Sequence, residues 1–543
     1  MAAAALAGAT AADARVDDRS PLYSYVRARA AAAEGSLASA AAGFGAALAA
    51  SPDNELIARQ ALRHAITAGD WRLALDAART LDRRNLLQPD ARFILVADSF
   101  KRRDWRAARA QVDLVEREQM FAVVVPVLRA WLAFGSGQGD PLAVLPAPGG
   151  QGASAAYAAE HRPLLLAAMG RAEAVDALIG AANSAGPRAS RLRIAGAALL
   201  ARRDRAGALR LLEGPGEPLA AARRLVETRR PVPGAIDGAD DGIAELLVRL
   251  SLDLHSQDAT DLAAAFARLA TWLSPGNSET WMVAAELLAQ QDRQAVAVPL
   301  LANVAADDPF AATVRDQRIR LLVGADQSEV ALAEALAATG APGALAPDWV
   351  RLGEVYVALD RQSDAATAFG RALEVRRASD ADGREEWTLW LMRGGALDQA
   401  GNWPEARDAL RRAYRLAPEQ PVVLNYLGYA QLIRNEDVAE AERLIREAHR
   451  RAPDNAAITD SLGWALFRKG ELTEAIALLE QAAEGAPADV EINEHLGDAY
   501  LAAGRRVEAR FAWQAALAYA EGEDAIRLRA RIETGLTPRL AAR

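Results

Sequence analysis

Across 543 residues the chain carries 63 Lys+Arg against 72 Asp+Glu, a net charge of −9, which argues against the basic face that a nucleic-acid binder needs. It contains no cysteine, so disulfides, thiolate metal sites and a cysteine nucleophile are excluded. At 51% hydrophobic and 25% charged it is composed as a globular chain, and no run of 18 apolar residues offers a transmembrane segment.

Residues 1–20 read as an Ala-rich leader. MAAAALAGATAA is apolar, and Ala9-Thr10-Ala11 and Ala12-Asp13-Ala14 are small-x-small sites of the kind signal peptidase accepts, but a basic n-region is missing. A clipped signal peptide and a plain leader both fit. Residues 21–134 read as helical repeats. Ala28, Ala40, Phe44, Ala47 and Pro52 hold the small, aromatic and terminating places of a register that is strongest at the other end of the chain, and Ala74 and Ala108 continue it. The Gly/Pro-rich stretch 135–154 predicts a long loop. Residues 155–230 are helical in pattern but loosely repeated, with one fair match at Leu192, Gly196, Ala208 and Leu212. A second loop is expected at 231–242. The register returns over 243–344, at Leu247, Ser251, Ala263, Ala267 and Pro275, and again at Trp281, Ala285, Ala297, Leu301 and Pro309.

The strongest pattern spans 346–523, where five repeats are expected. It opens with Trp349, Leu352, Gly353, Tyr356, Ala365, Phe369 and Ala372. Gly394 to Gly428 is 34 residues, Gly428 to Gly463 is 35 and Gly463 to Gly497 is 34, with a wider step of 41 from Gly353 to Gly394. These are the spacings of the tetratricopeptide repeat (TPR), a pair of antiparallel helices. Its chemistry is packing. A Gly or Ala at the helix crossing lets two backbones approach. Gly401, Gly470 and Gly504 fall where a left-handed residue ends the first helix. Pro418, Pro453 and Pro487 stop the second. The segment 524–543 predicts a capping helix and tail, because an end repeat must cover its open apolar face. No strand pattern of period two occurs, so the fold class is all-α, a TPR solenoid in the form of a right-handed superhelix of antiparallel helix pairs.

The blocks Asn425-Tyr426-Leu427-Gly428-Tyr429, Asp460-Ser461-Leu462-Gly463-Trp464-Ala465 and His495-Leu496-Gly497-Asp498-Ala499-Tyr500, with Gly504-Arg505 and Glu508-Ala509 to Trp513, carry a resemblance. Over Trp349–Leu536 the chain resembles a family of bacterial multi-repeat TPR proteins and is similar to envelope TPR adaptors of carboxy-terminal processing proteases. The resemblance implies a non-catalytic scaffold or adaptor in the periplasm or associated with the envelope. The implied partner is a protein or peptide, such as a periplasmic processing protease or an envelope assembly component. Lipid anchoring does not carry over, since the lipobox cysteine is missing. The alternative is a cytoplasmic TPR regulator or assembly factor.

Patterns that carry chemistry are missing. His64, His161, His255, His449 and His495 show no i,i+3 or i,i+4 pair to hold a metal. No glycine is followed by lysine, so a Walker A loop is excluded, and no G-x-S-x-G occurs. Asp237, Asp240 and Asp241 fail as a calcium loop because Ala239 and Val248 stand at ligand places. The acidic run at 379–386 fails likewise. The expectation is no enzyme, no cofactor and no metal.

In a TPR stack the first helix of each repeat lines a concave groove. That register projects Glu354, Asp398, Asn425, Tyr429, Ile433, Asp460, Trp464, Arg468, Glu494 and Asp498 inward. Asn425, Tyr429, Asp460, Trp464, Arg468, Glu494 and Asp498 are the partner-binding candidates. Tyr429 and Trp464 hold equivalent places in adjacent repeats and could grip an extended peptide by stacking, with Asn425 and Asp460 beside them. The plain alternative is packing between repeats. Trp464→Ala should separate the two, through its effect on binding against its effect on melting. Asn425, Tyr429, Ser461, Glu491 and His495 stand where a carboxylate-binding groove would need Lys, Asn and Arg. The N-terminal repeats project Tyr25, Arg29, Arg59, Arg63, Phe93 and Lys101. Residues 1–130 hold 18 basic and 15 acidic residues, whereas 346–543 hold 26 and 33, so the two ends differ in sign and suit different partners or two ends of one.

Overall fold

The computed structural model describes residues 21–378 and 386–534. The leader at 1–20, the acidic run at 379–385 and the tail at 535–543 lie outside the described residues. Every regular element among those described is helical, and the chain divides into two compact units between Gln327 and Ser328. That division falls inside the 243–344 block of the sequence reading.

The first unit begins with hairpins: α1 (Pro21–Ala33) with α2 (Leu37–Ala50), α3 (Glu55–Ala68) with α4 (Trp71–Arg83), and α5 (Phe93–Lys101) with α6 (Trp105–Glu118). Asn54, Asp70 and Asp104 start α3, α4 and α6, each accepting a backbone N–H three residues on at 3.0–3.1 Å. Then come α7 (Val125–Ser136), α8 (Ala153–Ala168), α9 (Ala174–Ser184), α10 (Ala189–Leu200), α11 (Arg205–Leu211) and α12 (Glu217–Glu227). The unit ends with α13 (Ala239–His255), α14 (Thr260–Leu273), α15 (Ser278–Ala289), α16 (Gln294–Leu300) and α17 (Ala311–Gly324). The Asp241 carboxylate accepts the N–H groups of Asp237 and Gly238 at 2.9 and 3.2 Å. Asp241 thus serves the start of α13, where a negative charge is favoured.

This unit is not a simple open stack. Helices α13 and α14 return to pack on α3, α5 and α7. The Phe266 ring of α14 meets Phe93 and Phe121 edge-on, at 5.0 and 5.4 Å between centroids. Trp272 stacks on Trp71 at 5.3 Å, and its carbonyl accepts from Lys101 Nζ at 2.8 Å. Phe93 and Lys101, expected in a groove, therefore help close the unit. Phe93 is 1% exposed.

A buried ion network adds to the closure. Arg188 bonds Glu160, Glu245 and Glu279 at 2.5, 2.8 and 3.0 Å, Arg191 also binds Glu245, and Asn277 donates to Glu245 at 3.0 Å. Arg249 binds Glu160 from the side. Burial of such charges costs several kcal/mol per ion unless each is paired, so each guanidinium here lies against carboxylate.

The second unit opens with α18 (Ser328–Gly340). Five helix pairs follow: α19 (Ala346–Ala358) with α20 (Gln362–Ala378), α21 (Glu386–Gln399) with α22 (Trp403–Leu416), α23 (Pro421–Ile433) with α24 (Val438–Arg451), α25 (Ala456–Lys469) with α26 (Leu472–Gly485), and α27 (Val490–Ala502) with α28 (Arg506–Leu517). The last helix is α29 (Gly522–Thr534). The Leu-Gly pairs sit at the helix crossings. A Cβ on Gly463 would lie 2.7 Å from Leu479 Cγ, and one on Gly428 would lie 2.9 Å from the Ala441 carbonyl oxygen. The backbones are that close, and only glycine fits without displacement. Gly470, at φ 83°, ends α25 in the left-handed region. Where glycine is missing, Asp360 and Asn435 make the same turn at φ 55° and 53°, as Asp258 and Asp292 do in the first unit at 61° and 56°. Short polar side chains tolerate that conformation.

Candidate binding surface

The first helices α23, α25 and α27 carry a connected polar and aromatic cluster. Asp460 on α25 is 5% exposed, and both its oxygens lie 3.0 Å from His495 Nδ1 on α27. The His495 ring stacks on Trp464 of α25 at 3.9 Å between centroids with a 15° tilt. Phe467 also stacks on Trp464, 4.7 Å between centroids. Tyr429 on α23 reaches past α25 and donates to Glu491 of α27 at 2.5 Å. Glu491 in turn lies 3.9 Å from His495 Nε2.

The electrostatics follow from this geometry. Burial lowers the His495 pKa, but the Asp460 charge and hydrogen bond, with Glu491 and Asp498, outweigh it and hold the imidazole above its ordinary 6.5. Burial pushes the Tyr429 phenol well up, and the Glu491 and Asp460 charges push it further. One turn before Tyr429, the Asn425 side-chain oxygen is buried without a hydrogen-bond partner. The cluster thus offers the partly exposed rings of Tyr429 and Trp464, an imidazole held between carboxylates, and one unpartnered acceptor. Among the described residues no three His, Asp or Glu gather as metal ligands.

The seven sequence candidates divide. Tyr429, Asp460 and Trp464 belong to this cluster, and Asn425 adjoins it. Arg468 turns instead to the end of α23, donating to the Leu432 carbonyl at 2.7 Å and to Asn435. Glu494 and Asp498 are covered by α29. Glu494, 7% exposed, pairs with Arg527 and Arg531 at 2.7 and 3.0 Å. Asp498, 5% exposed, pairs with Arg531 at 2.5 Å and accepts from Trp513 Nε1 at 3.0 Å. The capping helix takes the place a further repeat would take, so these two carboxylates hold the end of the stack rather than face a groove. Asp398 is likewise paired with Arg434, and Glu354 with Arg351. Ile433 remains 42% exposed. His495 as the centre of the cluster was missed. Its signal was the spacing of 35 residues from Asp460, one repeat, which places both on facing first helices.

In the first unit Tyr25 meets Phe44 edge-on. Arg29, Arg59 and Arg63 line a cavity of about 900 Å³.

Helix pairs joined at Leu-Gly crossings and closed by a capping helix define an all-α TPR solenoid, a class of protein–protein interaction scaffold. Two tetratricopeptide-repeat family profiles match, one over residues 350–421 and 427–490 and the other over 466–532. These matches lie in the second unit, which is built of tetratricopeptide repeats. None of the curated proteins matches the sequence. Among solved structures, the APC/C hetero-tetramer Cut9-Hcn1 aligns at 16% identity over 96% of this chain and 97% of that one, with a TM-score of 0.39. Yeast Tom70 aligns at 13% over 95% of both chains, with a TM-score of 0.36. A thermophilic TPR protein of Thermus thermophilus aligns at 24% over 35% of this chain and 98% of its own, with a TM-score of 0.30. Among the described residues no helix is long and apolar enough to cross a membrane.

Proposed function

We propose that this protein is a non-catalytic adaptor that holds an extended peptide segment of a protein partner against α23, α25 and α27. The observation that carries the reading is the aromatic cluster of Tyr429, Trp464 and His495 on three successive first helices, with the unpartnered side-chain oxygen of Asn425 one turn before Tyr429. An unsatisfied buried acceptor costs about 1–3 kcal/mol, and a rotation of the Asn425 side chain toward the surface would let a backbone N–H of a bound peptide satisfy it. The parts of the Tyr429 and Trp464 rings that remain exposed supply apolar contact for the peptide's side chains. We place the protein in the bacterial cell envelope, with a processing protease or an envelope assembly component as partner. The resemblance over residues 349–536 and the composition of the leader support that placement.

The test is a tagged pull-down from fractionated native cells with the wild type and an Asn425→Ala/Tyr429→Phe variant. The reading expects an envelope protein to be captured by the wild type and lost from the variant. A partner retained by the variant would overturn the groove. A cytosolic protein with a cytosolic partner would overturn the location and favour a cytoplasmic regulator or assembly factor.

A further inference from the structure

The first unit holds a second candidate surface, unrelated to the cluster on α23, α25 and α27. Its cavity of about 900 Å³ opens among α1, α3, the start of α5, α14 and the turn before α16, within the size range of ligand pockets. Four guanidinium groups line it: Arg29, Arg59, Arg63 and Arg293. Only two carboxylates do, Asp90 and Asp261, and neither is paired with these arginines. Arg59 is neutralised by Glu55 at 2.8 Å and also donates to the Leu86 carbonyl. Arg63 donates to the neutral Gln60 at 2.7 Å. Among the described residues Arg29 and Arg293 have no side-chain partner.

The three arginines without a carboxylate line the same cavity as His64. His64, stacked on Phe44 at 4.8 Å, is held down to about 4 by burial and then by the charges of Arg63, Arg293 and Arg29. Gathering like charges around a half-buried ring is unfavourable in the empty protein, and an anion relieves it. The rest of the lining is apolar, formed at its surface by the partly buried Ile66, Leu262 and Ala265, with Ile94 and Phe266 packed behind them. A small inorganic anion would leave that surface uncovered. A segment with carboxylates and an apolar side chain between them matches both parts of the lining.

We propose that this cavity docks an acidic, apolar-interspersed peptide segment of a protein partner, with Arg29, Arg63 and Arg293 taking its carboxylates and the Ile66–Leu262 surface taking the apolar side chain. Guanidinium groups suit this role because their planar forks bind carboxylates in pairs of hydrogen bonds. The site depends on closure of the first unit, since α3 and α14 both line it.

The experiment uses the full chain and fluorescence anisotropy with a blocked eight-residue peptide of alternating glutamate and leucine. Its glutamine–leucine and lysine–leucine counterparts, and inorganic phosphate as competitor, complete the set. The glutamate peptide should bind at least tenfold more tightly than the glutamine one, and the lysine peptide should not bind. Arg63→Glu and Arg293→Glu should each weaken binding tenfold or more, and the milder Arg63→Gln should weaken it less. Circular dichroism melting should not fall, because these side chains pack against no carboxylate and removing one of several like charges relieves repulsion. Asn425→Ala should leave this affinity intact, which separates the site from the groove of the second unit. Equal binding of the glutamine peptide, indifference to both arginine reversals, or displacement by phosphate at the peptide's own concentration would each overturn the proposal.

Discussion

Replacing Trp464 by alanine asks what the aromatic cluster is for. The indole stacks on His495 at 3.9 Å and on Phe467 at 4.7 Å, both within 18° of parallel. Each such pair contributes roughly 0.5–1.5 kcal/mol beyond the area it buries. The ring is partly buried, so about 100 Å² of apolar surface is lost to water, worth ~2.5 kcal/mol. The expected cost is therefore about 3.5–5.5 kcal/mol, concentrated where α25 meets α27. Repeat arrays do not unfold as a single two-state unit, so the assay is hydrogen exchange resolved by peptide, with urea unfolding alongside. Protection should fall in α25 and α27 and hold in α19–α22. Trp464→Phe keeps a stacking face and should recover most of the loss. If Trp464→Ala leaves protection and the urea midpoint unchanged, the stacks contribute nothing and the packing account of this cluster fails. A binding loss that exceeds the stability loss would then assign the ring to the partner.

Three further outcomes are expected. His495 has a folded pKa raised above its unfolded 6.5, so its contribution is complete below that pH and is lost as pH rises through the folded value; the wild type should lose stability toward alkaline pH more steeply than His495→Gln, and parallel urea midpoints from about pH 6 to 9 would count against the Asp460 pairing. Glu245→Gln leaves Arg188 and Arg191 under-compensated in a buried site and should cost about 3–5 kcal/mol by thermal melting of the first unit; a change under about 1 kcal/mol would show the network to be solvated. Gly463→Ala forces a methyl to within 2.7 Å of Leu479 and should cost about 1–3 kcal/mol, whereas Gly180→Ala, which meets nothing within 4 Å inside α9, should stabilise by up to about 1 kcal/mol; equal effects would deny the close crossing.

What the sequence revealed depended on how local the cause was. The crossings at Gly428 and Gly463 and the turn at Gly470 were legible because each is set by one residue and its own helix pair. The turns at Asp258, Asp292 and Asp360 were harder to see, since aspartate is common on any solvated surface and only the backbone shows it as left-handed. Contacts between distant segments left little trace. Phe93 and Lys101 carry the periodicity of a groove, and the partner that covers them, α14, lies far along the chain. Glu494 and Asp498 also sit in groove register, but the arginines that bind them, Arg527 and Arg531, belong to a helix outside the five-repeat pattern. Tyr429 and Trp464 were placed on adjacent first helices correctly, yet the imidazole that joins them electrostatically needed two repeats to be overlaid.

The return of α14 onto α5 sets a timetable for synthesis. Lys101 and the carbonyl it binds at Trp272 are 171 residues apart, and ribosomes add ~5–20 residues per second. The face of α3 and α5 that α14 covers is thus made some ~10–30 s before its cover exists. During that interval Phe93 and Phe121 are nascent, apolar and available to chaperones. The second unit has no such wait, because each helix pair finds its neighbour as soon as the next 34 residues emerge. Translational pausing, or shortage of a chaperone that shields apolar surface, should therefore injure the first half of the molecule while leaving the repeats at the other end intact.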